Sequence, residues 1–213
     1  MNKILLVLFS VLVFKVHATR WYVDDASNIG DVFTSASIAG NDANPGTFAQ
    51  PFATVPFALS MAAPFDTICV DAGTYAQLTI INKNIHIFGA GNTLTIFDNS
   101  NKSLTGGSAF SINTNRWVDI RSMMIRNYRY AIFHPSGSPA DSCRAYFDSL
   151  DINNNFTHGI DFEGSTKLRI LKVKNSIFYD NNGIVSSRGL LSMGPAIDTA
   201  IVQNSIFNNN SLV

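Results

Sequence analysis

Four asparagines, Asn127, Asn154, Asn181 and Asn208, follow one another at steps of 27 residues. Each closes a similar phrase: Ile125-Arg126-Asn127, Ile152-Asn153-Asn154, Tyr179-Asp180-Asn181. Ser122, Ser149 and Ser176 keep the same step. A period in the range of about 20–45 residues is the mark of a solenoid, in which each repeat buries its apolar face only against its neighbours. The last repeat is less regular. Ser176-Ile177-Phe178 and Ser205-Ile206-Phe207 are 29 residues apart, which predicts one turn of different length.

Within each repeat the apolar residues alternate: Val118, Ile120, then Met123, Ile125; Ala145, Phe147, then Leu150, Ile152; Leu171, Val173, then Ile177. Short alternating runs broken by Asn, Asp, Gly and Ser are strands, not helices. Three short strands and three turns fill a repeat of this length, and strands stacked one repeat apart run parallel. The expected fold is all-β: a right-handed parallel β-helix solenoid with a continuous apolar interior. Sharp corners between strands favour asparagine, which tolerates the left-handed region. The reading therefore predicts a structural ladder of Asn127, Asn154, Asn181 and Asn208, with the Asn154 amide bonded to its neighbours above and below.

Composition narrows the function classes. The chain has 213 residues and a single glutamate, Glu163, against many Asp and Asn. Residues 1–18 read as a secretory signal peptide: Lys3, an apolar run over 4–14, then Val16-His17-Ala18 with small residues at the cleavage positions. Without Lys3 and Lys15, 13 basic residues face 15 acidic ones, so there is no basic field for nucleic acid. No later stretch is apolar enough to cross a membrane. The expected location is secreted or cell-surface. Cys69, in an apolar strand, and Cys143, in a loop, carry no CxxC or Cys/His metal spacing.

Trp21-Tyr22-Val23 opens the mature protein, followed by a polar loop over 24–50. Its Asp24, Asp25, Asp31, Asn41, Asp42 and Asn44 could hold calcium through oxygen ligands, or could serve turns, with Asn44-Pro45-Gly46 as a β-turn. Residues 54–63 are the helical candidate, with Thr54 as N-cap, Pro56 early and an apolar stripe of Val55, Leu59 and Ala62. This short N-terminal capping helix would cover the open first end of the solenoid. The expected organisation is thus a leader at 1–18, a strand, loop and helix at 19–66, and coils over 67–213. The first coil runs through strands at 67–71, 78–81 and 85–88, with a turn at Ala72-Gly73-Thr74-Tyr75.

Trp21-Tyr22-Val23, Asn41-Asp42-Ala43-Asn44-Pro45-Gly46-Thr47, Gln50-Pro51-Phe52-Ala53-Thr54, Ala72-Gly73-Thr74-Tyr75 and Ile85-His86-Ile87-Phe88-Gly89-Ala90-Gly91 carry a resemblance. Together they look like the entry to pectin-lyase-like right-handed β-helix proteins, exported bacterial proteins that include polysaccharide lyases and many members without known activity. The resemblance implies the fold over the mature chain and a carbohydrate-related role. It names no reaction, because these phrases are scaffold and cap.

Two places could carry chemistry. Outward strand positions stack into columns, Arg121, Asp148, Lys174 beside Asp119, Tyr146, Lys172, whose alternating signs favour salt ladders over a lyase's carboxylate cluster. Asp161 and Glu163, two apart in a strand, are expected to point outward and could be the acid and base of an inverting glycosidase, or a solvated strand face. The β-helix polygalacturonase motifs are absent; Thr157-His158-Gly159 lacks the first glycine. His86, His134 and His158 read as turn or strand surface residues. Two functions stay open: polysaccharide binding or a part in its cleavage, and a non-catalytic surface or adhesion scaffold. The chain is also expected to be incomplete at its C-terminal end and to self-associate through that uncapped edge.

Overall fold

In the computed structural model the described residues are 18–27, 29–35, 38–100, 107–113, 116–135, 143–162, 168–183, 191–193 and 197–212. Nearly all of residues 1–18 therefore lie outside them. In chain order the first elements are β1 (Arg20–Val23), α1 (Val55–Met61), β2 (Thr67–Val70), β3 (Gly73–Tyr75), β4 (Thr79–Ile81), β5 (Ile85–Gly89) and β6 (Thr95–Asp98). Then come β7 (Ser108–Ile112), β8 (Trp117–Arg126), β9 (Tyr130–Phe133), β10 (Cys143–Asn153), β11 (His158–Phe162) and β12 (Leu168–Lys174). The last are β13 (Ile177–Tyr179), β14 (Asn182–Gly183), β15 (Leu191–Met193), β16 (Ile197–Gln203), β17 (Ile206–Asn208) and β18 (Ser211–Leu212).

The strands wind into a parallel β-helix with three sides. One side runs β1-β2-β5-β8-β10-β12-β16 and a second runs β4-β7-β9-β11-β15. The third pairs β3, β6, the second halves of β8 and β10, then β13 and β17. Ala72-Gly73-Thr74-Tyr75, expected as a turn, belongs to this third side through β3, because Gly73, Thr74 and Tyr75 pair with Thr95, Ile96 and Phe97. Register stacks like on like. Ile85, Val118, Ala145, Leu171 and Ala200 form one interior column, and Ile87, Ile120, Phe147, Val173 and Val202 the next. Through Leu171 and Val173 these residues are buried. Each fully buried Ile, Val or Phe contributes about 1.5–3 kcal/mol, so the columns supply most of the stability.

A single left-handed residue makes each of two corners. Ser122, Ser149, Asn175 and Asn204 have φ of 57°, 56°, 48° and 51°, and Asn127, Asn154, Asp180 and Asn209 have 63°, 52°, 52° and 49°. The steps between these corners are 27, 26 and 29 residues. The 26-residue step corrects the expected ladder. Asn181 is one residue past its corner, whereas Asn127 and Asn154 are the corners themselves. The ladder is Asn155, Asn181 and Asn210, the first two of them buried. Asn155 Nδ2 donates to Asn181 Oδ1 at 2.9 Å, and Asn181 Nδ2 donates to Asn210 Oδ1 at 3.1 Å. The same amides donate to backbone carbonyls of Ile125 and Ile152, at 3.1 and 2.8 Å. Asn127 Nδ2 instead donates to Asp98, Asn154 Nδ2 to Asn153, and Asn208 sits in β17 opposite Tyr179. The even spacing survives in the sequence because asparagines come in runs, so an identity match is found in either register.

The helix forms as its ends dictate. Thr54 caps it, its hydroxyl oxygen accepting from the Phe57 N–H at 3.2 Å. Asp42 supports that cap, accepting from the Ala53 and Thr54 N–H groups at 2.9 Å each and from the Thr54 hydroxyl at 2.8 Å. Lys83 Nζ donates to the carbonyls of Leu59 and Ala62 at 2.7 Å each, at the negative end of the helix. Val55, Ala58 and Leu59 are buried, and α1 packs on β1, β2 and β4, the opening strands of two sides. The hydrogen-bonded turn of the loop closes from Asn44 N to Asn41 O. Gly46 then takes φ +74°, where a Cβ would lie 2.1 Å from the buried Phe52 ring. Cys69 and Cys143 are both buried free thiols, Cys143 opening β10 rather than lying in a loop.

The last described coil packs less well. Val202 and Phe207, which continue interior columns, are 45 % exposed each, and Ile206 is 58 % exposed. No helix among the described residues is long and apolar enough to cross a membrane.

Candidate ligand-binding face

Strand alternation places side chains 119, 121, 146, 148, 172 and 174 on the outer face of the first side. His86, Asp119, Tyr146 and Lys172 stand in one column, and Phe88, Arg121, Asp148 and Lys174 in the next. The columns are those expected from the sequence, but the strongest ion pair runs along a strand rather than up a column. Arg121 turns along its own strand and grips Asp119, donating from Nε and Nη2 at 2.6 Å each. His86 Nδ1 lies 3.2 Å from the same carboxylate. The Asp119 bond raises the Arg121 pKa, with burial opposing. A short bidentate pair like this fixes geometry as well as charge. Asp148 accepts from Ser149 Oγ and Asn175 Nδ2 at 2.9 Å each. Neither carboxylate is left as an unengaged base.

Aromatic rings bracket these charges. Phe65 packs on Trp117 at 5.5 Å between centroids, His86 meets Trp117 edge-on at 4.8 Å, and Trp117 meets Tyr146 edge-on at 6.1 Å. Lys172 Nζ lies 5.2 Å over the Tyr146 ring, and the Arg121 guanidinium 5.1 Å over Phe88. A cleft of about 180 Å³ opens here, lined by Asp119, Arg121, Tyr146, Asp148, Lys172 and Lys174 among others. The aromatic row was readable from alternation: Trp117 and Tyr146 occupy outward positions, where half-exposed aromatics are available to a ligand.

The second sequence candidate is arranged differently. Asp161 lies in β11, whose residues are all buried, so it does not stand on an open strand face. Its Oδ2 is 3.8 Å from His158 Nδ1, and its carbonyl accepts from the His134 N–H at 2.8 Å. Glu163 lies outside the described residues. The histidines are corrected too. His134 and His158 are buried, the one stacked on Phe162 and the other on Tyr130, rather than standing on a strand or turn surface. Burial holds the His134 imidazole below its ordinary pKa.

The six oxygen-bearing loop residues divide into two groups. Asn41 accepts from the Ala43 N–H, Asn44 donates to the Pro51 carbonyl and Asp42 supports the helix cap, all of it turn and cap chemistry. Asp24, Asp25 and Asp31 gather instead around Asp71, a residue the sequence reading passed over as the end of a strand. Asp71 Oδ1 accepts from the N–H groups of Val32 and Ala72 at 2.7 Å each. Its Oδ2 accepts from Phe33 N at 2.9 Å, Thr34 N at 2.6 Å and Thr34 Oγ1 at 2.8 Å. Among the described residues no three His, Cys, Asp or Glu side chains converge as a metal shell would.

Residues 38–87 match a family model described as "Protein of unknown function (DUF1565)", a family associated with parallel β-helix proteins. The matched stretch covers the second half of the loop, α1, β2 to β4 and the start of β5. Among curated proteins and among solved structures nothing matches. Fold and match together describe a parallel β-helix protein whose entry and first coil are similar to that family.

Proposed function

We propose that this is an exported protein that binds polysaccharide on the outer face of its first side. The observation that carries the reading is the Trp117–Tyr146 aromatic row beside the Arg121, Lys172 and Lys174 cleft. Aromatic rings offer apolar platforms to sugar rings, and the charged groups around them offer hydrogen bonds to hydroxyls and carboxylates. The resemblance of the loop and first coil to pectin-lyase-like proteins supports the same class by analogy. The signal-peptide pattern of residues 1–18 supports export. Calcium enters this reading only as an aid to binding. Catalysis is not assigned, since Asp119 and Asp148 are both engaged. The test uses protein secreted by its host. N-terminal sequencing should read from Thr19. Affinity electrophoresis through pectate, alginate and chondroitin, with and without calcium, should retard it in at least one polymer. Growth of ultraviolet absorbance from unsaturated products would add lyase activity. Migration unchanged in all three polymers would contradict the reading, and so would Met1 on a membrane-bound product.

A non-catalytic surface scaffold is the second reading, favoured by the exposed Val202, Ile206 and Phe207. It expects self-association through the β16–β17 edge. Light scattering should then show mass rising with concentration, and Phe207→Ser should weaken the effect. A monomer at every concentration removes this reading.

A further inference from the structure

The N-terminal loop and the first coil bring four carboxylates together: Asp24 and Asp25 after β1, Asp31 from the loop, and Asp71 after β2. Asp24 and Asp71 are fully buried. Both carboxylate oxygens of Asp31 are shut off from solvent and accept no hydrogen bond. The ion pairs among the described residues give none of the four a Lys, Arg or His partner. Two further titratable groups feel them: Tyr75 of β3, whose phenol is pushed up by burial and by all four, and Cys69 of β2, whose thiol is pushed up by burial and by Asp71 with Arg20 opposing.

Thr34 Oγ1 joins two of these acids. It lies 3.1 Å from Asp24 Oδ2 and 2.8 Å from Asp71 Oδ2. A hydroxyl has one proton and can donate to only one of them. Asp71 Oδ2 already accepts two backbone N–H groups, which marks it as the ionised partner. Among the described residues Asp24 Oδ2 is bonded only to the threonine hydroxyl, so a proton on Asp24 completes the chain of donors.

We propose that a proton latches the loop segment 31–35 onto the first coil: Asp24 is protonated and donates to Thr34 Oγ1, the Thr34 hydroxyl donates to Asp71, and ionised Asp71 holds the N–H groups of Val32, Phe33 and Thr34. Burial first, then the charge of Asp31, raises the Asp24 pKa from 3.8 to about 6, while the bond from the Asp25 N–H pulls the other way. For an acid whose folded pKa is raised, the stabilisation is full below the ordinary value and is lost as pH rises through about 6. The opening constant of the loop should therefore rise on the order of 100-fold between acid and neutral pH, ten raised to the difference of the two pKa values.

A melting curve would blur this. His134, held below its ordinary pKa, destabilises the fold as pH falls through the same window. The readout is therefore local: hydrogen exchange at the Val32, Phe33 and Thr34 amides of the full chain in EDTA, from pH 3 to 8, corrected for intrinsic rates. Protection should fall with rising pH between about 4 and 6 and level off above about 6. In Asp24→Asn, whose amide donates to Thr34 at any pH, it should stay high and flat. In Thr34→Val it should be low throughout. Protection in the wild-type chain that does not change with pH overturns the latch, and this measurement needs no variant to fold. A wild-type profile retained in Thr34→Val also overturns it. Calcium chloride restoring protection at pH 8, and failing to in Asp31→Asn, would mean that a cation rather than a proton neutralises the site, which overturns it as well.

Discussion

Asn181→Ala should lower Tm by roughly 6–12 °C, the shift expected for about 3 kcal/mol in a chain of this size. Asn181 is buried and central in the ladder. Its Oδ1 accepts from both the Asn155 N–H and the Asn155 amide, and its Nδ2 serves the Ile152 carbonyl and Asn210. Truncation orphans all of these at once, and each buried polar group left unpaired costs about 1–3 kcal/mol, less what relaxation recovers. Asn154→Gly is the matched control. Asn154 is exposed, has φ 52° and donates to the neighbouring Asn153 side chain. Glycine adopts that φ without strain, so the control should lie within about 0.5 kcal/mol of the wild-type chain. Equal losses in the two variants, followed by thermal denaturation, would mean that the Asn155–Asn181–Asn210 amides do not bear on stability.

The second large effect is at Asp71. Neutralising one of four clustered acids relieves repulsion, but Asp71 is the acid whose two oxygens both have work. Asp71→Asn replaces one of them by an NH2 group that must face either the Val32 and Ala72 N–H groups or those of Phe33 and Thr34. Hydrogen bonds to a charged acceptor are worth about 1.5–3 kcal/mol each, so the loss of two outweighs the repulsion relieved. The expected cost is about 3 kcal/mol, with faster proteolysis in the loop. Asp31→Asn should have the opposite sign and raise Tm, because no donor faces its oxygens and only like charges do. Denaturant unfolding of the pair decides: two substitutions of the same sign would contradict this account of the cluster.

The fold was legible because its signals are local and repeated. Alternation at Val118, Ile120, Phe147 and Val173 fixed which side chains face inward, and Thr54 with Pro56 fixed the start of α1. The ladder register was not legible. A corner depends on which single residue turns left-handed, and Asn153-Asn154-Asn155 offers three candidates that only the 26-residue step of the next coil separates. The burial of Asp161 and His134 was hidden for a related reason: alternation tells the two faces of a strand apart but not whether chain elsewhere covers the outer one. The grouping of Asp24, Asp31 and Asp71 depends on contact between residues roughly 40 apart, where no sequence period reaches. The aromatic row was the part of the candidate site open to a reader of sequence, since Trp117 and Tyr146 fall on outward positions in adjacent repeats.

Binding at that row is the central claim. Its most direct measurement compares the wild-type protein with Tyr146→Ala and Trp117→Ala in affinity electrophoresis through whichever polymer retards the wild-type chain, with Phe48→Ala, an exposed loop residue far along the chain, as control. Each row variant should weaken binding about tenfold or more, the loss of roughly 1.4 kcal/mol usual for an aromatic anchor, while its Tm and the mobility of the control stay near wild type. Retardation of both row variants equal to that of the wild-type protein would contradict the account.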